Sequence, residues 1–297
     1  MLDLDKLMQL QDIRQIPELA KDKFCEIYKK KYKVDPEGFF EQQKNLYLVE
    51  ISQGAYAEKL WKADRLSLFN AFISLAINGL SLEKGLSTEC YLECRSICVG
   101  KDERGNKVYG NQAVITITGY GEISLRIRAG QITSTGKPVI VYDCDQFQDG
   151  EWDGKKVINY MRTIPRPQGA KKIACYFPIN LKDGQRDYGI MYLEDIVRLA
   201  EYSKKFNGGR FANALYGKAN DCSDIDDGFF IAKTIKHAFK TYPKLTIGDG
   251  AAMESDKDMD EPGSEGNQNP NPTQPSVAPE TSSQGTQVNV GDGSPFD

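Results

Sequence analysis

Residues 65–80 read RLSLFNAFISLAINGL, and residues 88–118 read TECYLECRSICVGKDERGNKVYGNQAVITIT. The change of period between these two stretches decides the fold. In the first, Leu66, Phe69, Ile73, Ala76 and Leu80 recur at helical spacing, and Leu68, Phe72 and Leu75 widen the stripe. That pattern predicts a core helix, with Gly79 where it ends. In the second, residues 90–99 alternate, Lys101–Lys107 is a polar turn around Gly105, and Gln112–Thr118 is alternating and β-branched. This predicts a hairpin behind a buried helix.

Working outward, residues 1–60 read as charged helices with breaks near Pro17 and at Asp35-Pro36. Their basic run, Lys29, Lys30, Lys31 and Lys33, reads as a solvated helix face. Val139–Phe147 and Lys172–Ile179 read as further strands, and Met191–Phe206 and Asp227–Tyr242 as helices. No βαβ alternation and no internal repeat is present, so the expected class is α+β: a small antiparallel sheet with packed helices.

Charge divides the chain. From Asp249 onward there are ten acids and one base, Lys257, together with six of the 13 prolines. Such a segment cannot bury enough apolar surface to offset the cost of ordering it, and residues 249–297 are expected to be a disordered acidic tail. Residues 1–248 keep 37 Lys and Arg against 32 Asp and Glu, a basic body that suggests an anionic partner. Within it, residues 1–59 form an N-terminal helical region where oligomer contacts are expected, and residues 60–248 form the core.

Several chemistries are disfavoured. A lone histidine, His237, argues against sites built on two or more histidines. Seven cysteines with no C-x-x-C pair suggest neither a disulfide framework nor a zinc ribbon, and a reducing cytoplasm is the simpler setting. Cys90, Cys94 and Cys98 share a face, but at no standard zinc spacing. Gly130–Pro138, GQITSTGKP, has five residues between its glycines where a Walker A has four, and Pro138 stands in place of the Mg²⁺-binding hydroxyl. No apolar run reaches the ~20 residues of a membrane span, and MLDLDKLMQL has no secretory apolar region.

Basic residues are better placed. On the last helix, Lys233, Lys236, His237, Lys240 and Lys244 lie roughly opposite Ile231, Ile235, Ala238, Phe239 and Tyr242. Lys155, Lys156, Arg162, Arg166, Lys171 and Lys172 are interleaved with Trp152, Tyr160 and Tyr176, and Arg126 and Arg128 form a smaller set. Cations beside aromatic rings suit single strands, the first taking phosphates and the second stacking bases.

Five motifs in order resemble the RecT family of phage single-strand annealing proteins. They are NGLSLEKGLSTECYL (Asn78–Leu92), NQAVITITGYGEISLRIRAGQI (Asn111–Ile132), VYDCDQF (Val141–Phe147), MYLEDIVRLAEYSKK (Met191–Lys205) and IAKTIKHAFKTYP (Ile231–Pro243). The resemblance covers about residues 60–245. Ala129 departs from the family's usual serine before Gly130, and the turn after Tyr120 looks one residue shorter. Alternation alone makes residues 122–129 a strand; the resemblance implies a helix there, and we follow it.

The resemblance implies ATP-independent binding and annealing of single-stranded DNA in phage-type recombination, and retention of the annealed duplex. It implies a homo-oligomer, ring or helical filament, working beside a phage exonuclease and the host single-strand-binding protein in the bacterial cytoplasm. No cofactor is required on this reading, magnesium being at most a stimulant. The expected DNA-binding residues are Tyr120, Arg126, Arg128, Lys155, Lys156, Arg162, Arg166, Lys171, Lys172, Lys233, Lys236 and Lys240. The tail tip, Gly291–Asp297, faintly resembles the acidic Pro-Phe ends of bacterial single-strand-binding proteins. Two alternatives stand beside this reading: a metal-dependent nuclease using Asp143, Asp145 and Glu151, with Asp153 beside them, and a phage structural protein.

Overall fold

A computed structural model of the chain describes residues 4–206 and 212–255. Five helices come first: α1 (Leu4–Met8), α2 (Ile16–Tyr32), α3 (Glu37–Gln53), α4 (Ala57–Trp61) and α5 (Arg65–Asn78). The break expected near Pro17 falls just before it, between Met8 and Ile16, and Pro17 itself sits in the first turn of α2, where its missing N–H costs nothing. Asp35-Pro36 does separate α2 from α3. The Asp64 carboxylate caps α5 by accepting from Ser67 N at 2.7 Å. Gly79 ends it at φ 63°, and a Cβ there would lie 2.8 Å from the Tyr32 ring.

The hairpin follows, β1 (Cys90–Lys101) and β2 (Lys107–Ile117), antiparallel with Cys90 opposite Ile117. Cys90, Leu92 and Cys94 of β1 and Ala113, Ile115 and Ile117 of β2 join the apolar face of α5 in one core. The helices of residues 1–59 share that core: Phe24, Phe40 and Tyr47 pack on Phe72 with ring centroids 5.0, 6.0 and 5.1 Å away. Leu66, expected in the stripe, lies in the first turn of α5 and is exposed. All seven cysteines are free thiols, with Cys90 and Cys94 buried and Cys98 exposed.

Helix α6 (Gly119–Arg128) is the helix that the family resemblance implies, not the strand that alternation suggests. It buries Gly121, Leu125 and Arg126, a helical spacing that residue-by-residue polarity conceals because one buried group is an arginine. A Cβ at Gly121 would sit 2.0 Å from Glu89 O, so α6 packs directly on the backbone leading into β1.

A second sheet centres on β7 (Lys172–Leu181). β3 (Ile132–Thr135) and β4 (Val139–Tyr142) pair end to end along one edge of β7, and β8 (Arg186–Tyr192) pairs along the other. The strand expected over residues 139–147 is interrupted at residues 143–145, and β5 (Gln146–Trp152) begins beyond, paired with β6 (Lys155–Met161). α7 (Leu193–Phe206) starts after β8, so Met191 and Tyr192 are strand residues. α8 (Asp227–Ala238) stops short of the expected Tyr242.

Cys175, Phe177 and Met191 face helices α7 and α8, while Ala174 and Tyr176 face the β5–β6 hairpin. The fold is α+β, as the sequence predicts, with small sheets that are mainly antiparallel. A short strand, β9 (Ala251–Met253), lies parallel to β2, so ordered chain continues past residue 248. The Pro-rich remainder and its tip, Gly291–Asp297, fall outside the described residues.

Candidate nucleic-acid interface

Trp152-Asp153-Gly154-Lys155 builds the β5–β6 hairpin. Asp153 and Gly154 adopt φ 51° and 69°, the left-handed pair of a two-residue turn whose twist matches the flanking strands. The alternation of a strand then sorts the side chains. Phe147, Ile158 and Tyr160 pack down on the sheet, with Phe147 and Tyr160 each 5.8 Å from the Tyr176 ring. Trp152, Lys155, Val157 and Met161 take the outer face, and Lys156 pairs in register with Glu151. Trp152 is 79% exposed, and Ile164 in the following loop equally so.

The base of this arm is tied by Asp145, whose side chain has no exposed surface. Its carboxylate accepts from Tyr142 N (3.1 Å), Thr163 N (2.9 Å), Tyr160 Oη (3.1 Å) and Arg166 (3.3 Å). Burial by itself would raise the carboxyl pKa. The hydrogen bonds from Thr163, Tyr142 and Tyr160, with the Arg166 charge, outweigh it and hold Asp145 below its ordinary value. Arg166 in turn lies 3.7 Å from the centre of the Tyr142 ring.

The six cations expected around this region therefore divide. Lys155, Lys156 and Arg162 are exposed, with no ion-pair partner among the described residues. Arg166 is held by Asp145 and Tyr142, and Lys171 pairs with Asp221 at 3.0 Å on the surface. Lys172 is largely buried, bonded to Ile225 O and paired with Asp227 at 2.6 Å.

Two of the expected DNA contacts, Arg126 and Lys233, lie inside the fold. Arg126 is 3% exposed; it pairs with Glu122, donates to Pro243 O at 3.1 Å and lies over the rings of Phe239 and Tyr242. Lys233 is fully buried, its ammonium 5.0 Å from the Phe229 ring and 5.4 Å from Tyr216. The single-stripe projection of α8 fails because Phe229 and Phe230 make a second buried face in its first half. Lys236 is half-buried, Lys240 exposed. Arg128 is exposed and donates to Asn78 O at 3.0 Å. Tyr120 is half-buried beside Ile123 and Phe177, at a cavity of about 320 Å³ with Lys137 also lining it, and burial raises its pKa.

The acids of the nuclease alternative are not brought together. Asp145 is saturated by its own loop, and Asp143 accepts from Lys171 N at 3.1 Å. Glu151 lies at the far end of β5, about 20 Å along an extended strand from Asp145. No group of three metal-ligating side chains assembles among the described residues. Nor is any described helix long and apolar enough to cross a membrane.

The model of the RecT family matches residues 43–219, from α3 through the hairpin arm to the segment before α8. The chain belongs to the RecT family. Membership places it among proteins that bind single-stranded DNA, assemble into oligomers and anneal complementary strands in recombination. Comparison with curated proteins returns no match. Within this RecT-family chain, the arm of residues 146–162 is the feature that sequence reading missed, although Asp153-Gly154 between alternating residues is a hairpin signal.

Proposed function

We propose that this chain anneals complementary DNA strands without nucleotide, gripping the first strand along the β5–β6 arm. The observation that carries the reading is the company of Lys155, Lys156 and Arg162, exposed and in no ion pair among the described residues, with the exposed Trp152 ring on a hairpin locked to the sheet below. The cations neutralise phosphates, and the indole offers a face to a base without reading its sequence. Lys240 is a further exposed cation proposed to meet the backbone of this strand.

Annealing needs no fuel. Duplex formation is downhill by roughly 1.4 kcal/mol per base-pair step. The obstacles are phosphate repulsion and the search for register, which a cationic surface repeated head to tail along an oligomer lowers together. The nearest phosphate-loop candidate supports the same reading. Gly130–Pro138 folds as β3 and the bend before β4, not as a loop feeding a helix.

The test mixes labelled complementary strands with full-length protein in chelator, without nucleotide. Duplex formation faster than in protein-free buffer is expected. A strict nucleotide requirement, or shortened strands on adding Mg²⁺, would overturn the proposal, the second in favour of the nuclease.

A further inference from the structure

The lysine run that closes α2 does more than satisfy its own helix end. Lys31 Nζ donates to Ile77 O, and Tyr32 Oη to the same oxygen at 3.0 Å. Arg128, from the end of α6, donates to the next carbonyl, Asn78 O, at 3.0 Å. Two cations from separate helices are thus pinned to the carboxyl end of α5, where the helix dipole favours positive charge. Gly79 permits this close approach of α2, since any side chain there would strike Tyr32.

The charge is not cancelled. Lys29, Lys30 and Lys33 are exposed with no ion-pair partner among the described residues. Of the nearby acids, Glu26 turns to Lys23, and Asp35 is exposed in the loop after α2. Glu89 is hydrogen-bonded by Ser81 N and Ser124 Oγ and reaches Arg128 only at 3.8 Å. Partial burial and then the proximity of Arg128 lower the pKa of Lys31, as expected where cations crowd together.

The shelf and the arm are built on different elements, reached from opposite ends of β7. α6 leads into β3, which pairs with Ile179–Leu181 at one end of β7, whereas the arm springs from the other end, where Tyr142 pairs with Lys172.

We infer that Lys29, Lys30, Lys31, Lys33 and Arg128 form a second phosphate-binding surface, which takes the backbone of the incoming complementary strand. This rests on the arm holding the first strand. An annealing protein must relieve the repulsion of two backbones at once, and one track of cations neutralises only one of them.

The experiment compares the full chain with the triple variant Lys29→Glu, Lys30→Glu, Lys33→Glu. These side chains are exposed, so thermal unfolding should be unchanged. Affinity for a short single strand should stay within about twofold, because the arm is intact. Annealing onto the pre-bound strand should slow about tenfold or more, with weaker retention of the duplex. Unchanged annealing by a folded variant would overturn the inference. So would an equal fall in first-strand affinity, which would put the shelf on the first strand's path. A defect seen only with an acidic-tailed partner protein present would overturn it in favour of protein docking. If the unaltered chain fails to anneal, it is the proposed function that fails, not the shelf alone.

Discussion

The Arg126 guanidinium lies 4.8 Å from the centre of the Phe239 ring. Arg126 belongs to α6, packed on the first sheet, and Phe239 follows α8, packed on the second. The cation–π contact and the bond to Pro243 O thus fasten α6 to the segment that follows α8, while Glu122, on α6 itself, holds the guanidinium in place. Burial raises the pKa of Glu122, and only Arg126 counters it. Removing one member of a buried pair strands the other, at a cost of about 3 kcal/mol or more. Arg126→Ala should therefore lower the denaturation midpoint markedly in urea, and Arg126→Lys somewhat less. An Arg126→Ala protein of unaltered midpoint with weakened DNA binding would return this residue to the interface.

Lys155, Lys156 and Arg162 should behave in the opposite way. Their replacement by alanine removes no internal partner, so stability should hold within about 0.5 kcal/mol. Single-strand affinity should fall, and its log–log salt slope should flatten by roughly 0.7 for each phosphate no longer neutralised, about 2 in the triple variant. A titration series at several salt concentrations reads both. An unchanged slope would show that the arm does not meet phosphate.

Trp152 and Trp61 are the chain's two tryptophans, and they are easily told apart. Trp61 donates its indole N–H to Ile51 O at 2.9 Å, whereas Trp152 stands at the hairpin turn. Adding oligonucleotide should quench fluorescence in the unaltered chain and in Trp61→Phe, but not in Trp152→Phe. Trp152→Ala should lose about 1–3 kcal/mol of affinity if a base stacks on the ring. Quenching that survives Trp152→Phe would refute the stacking role.

What could be read beforehand follows from how local each signal is. The helix of residues 65–78 and the hairpin behind it carry their periods within one element, and the structure contains both. Residues 122–129 were legible only through family resemblance, since a buried arginine breaks the apolar pattern of α6. Residues 139–147 look like one strand because Asp145 reads as polar surface, yet it is a buried hub whose partners lie up to 21 residues away. Among the basic residues, Lys155 and Lys172 look alike in sequence. Only the fold brings Asp227 and Ile225 O to Lys172 and leaves Lys155 without such partners. The joining of Lys29–Lys33 to Arg128 is likewise a tertiary fact, made by the shared end of α5.

Asp145 gives the arm a pH dependence of defined sign. Its carboxyl pKa is lowered in the fold, so its contribution is fully present above the unfolded value of about 3.9 and is lost as pH falls through the lower folded value. Unfolding midpoints measured between about pH 6 and pH 2 should fall on the acid side, and Asp145→Asn should flatten part of that fall. At neutral pH the same variant should be less stable, because Arg166 loses its counter-charge. An identical acid limb in the variant would remove Asp145 from the account.

The acidic tail and the folded body meet later in the chain than composition suggests. Composition places the boundary after residue 248, but β9 lies beyond. Ile115 N donates to Gly250 O and Glu254 N to Ile117 O, each at 2.9 Å. Gly250 lies so close to α5 that a Cβ would be 2.1 Å from Asn70 O. A chain ending at Gly248 loses these ladder bonds and uncovers the β2 edge beside the core, which we put at about 2 kcal/mol. Its melting temperature should drop by roughly 4–8 °C for a body of this size. A chain ending at Ser255 keeps β9 and sheds eight acids against one lysine. It should melt within about 2 °C of the full chain and bind single strands as tightly or slightly more tightly, because anionic side chains that compete with phosphate are gone. Calorimetry and strand titration of the two shortened chains decide this. Equal melting temperatures would make β9 dispensable, and weaker binding by the chain ending at Ser255 would give the tail a direct part in holding DNA.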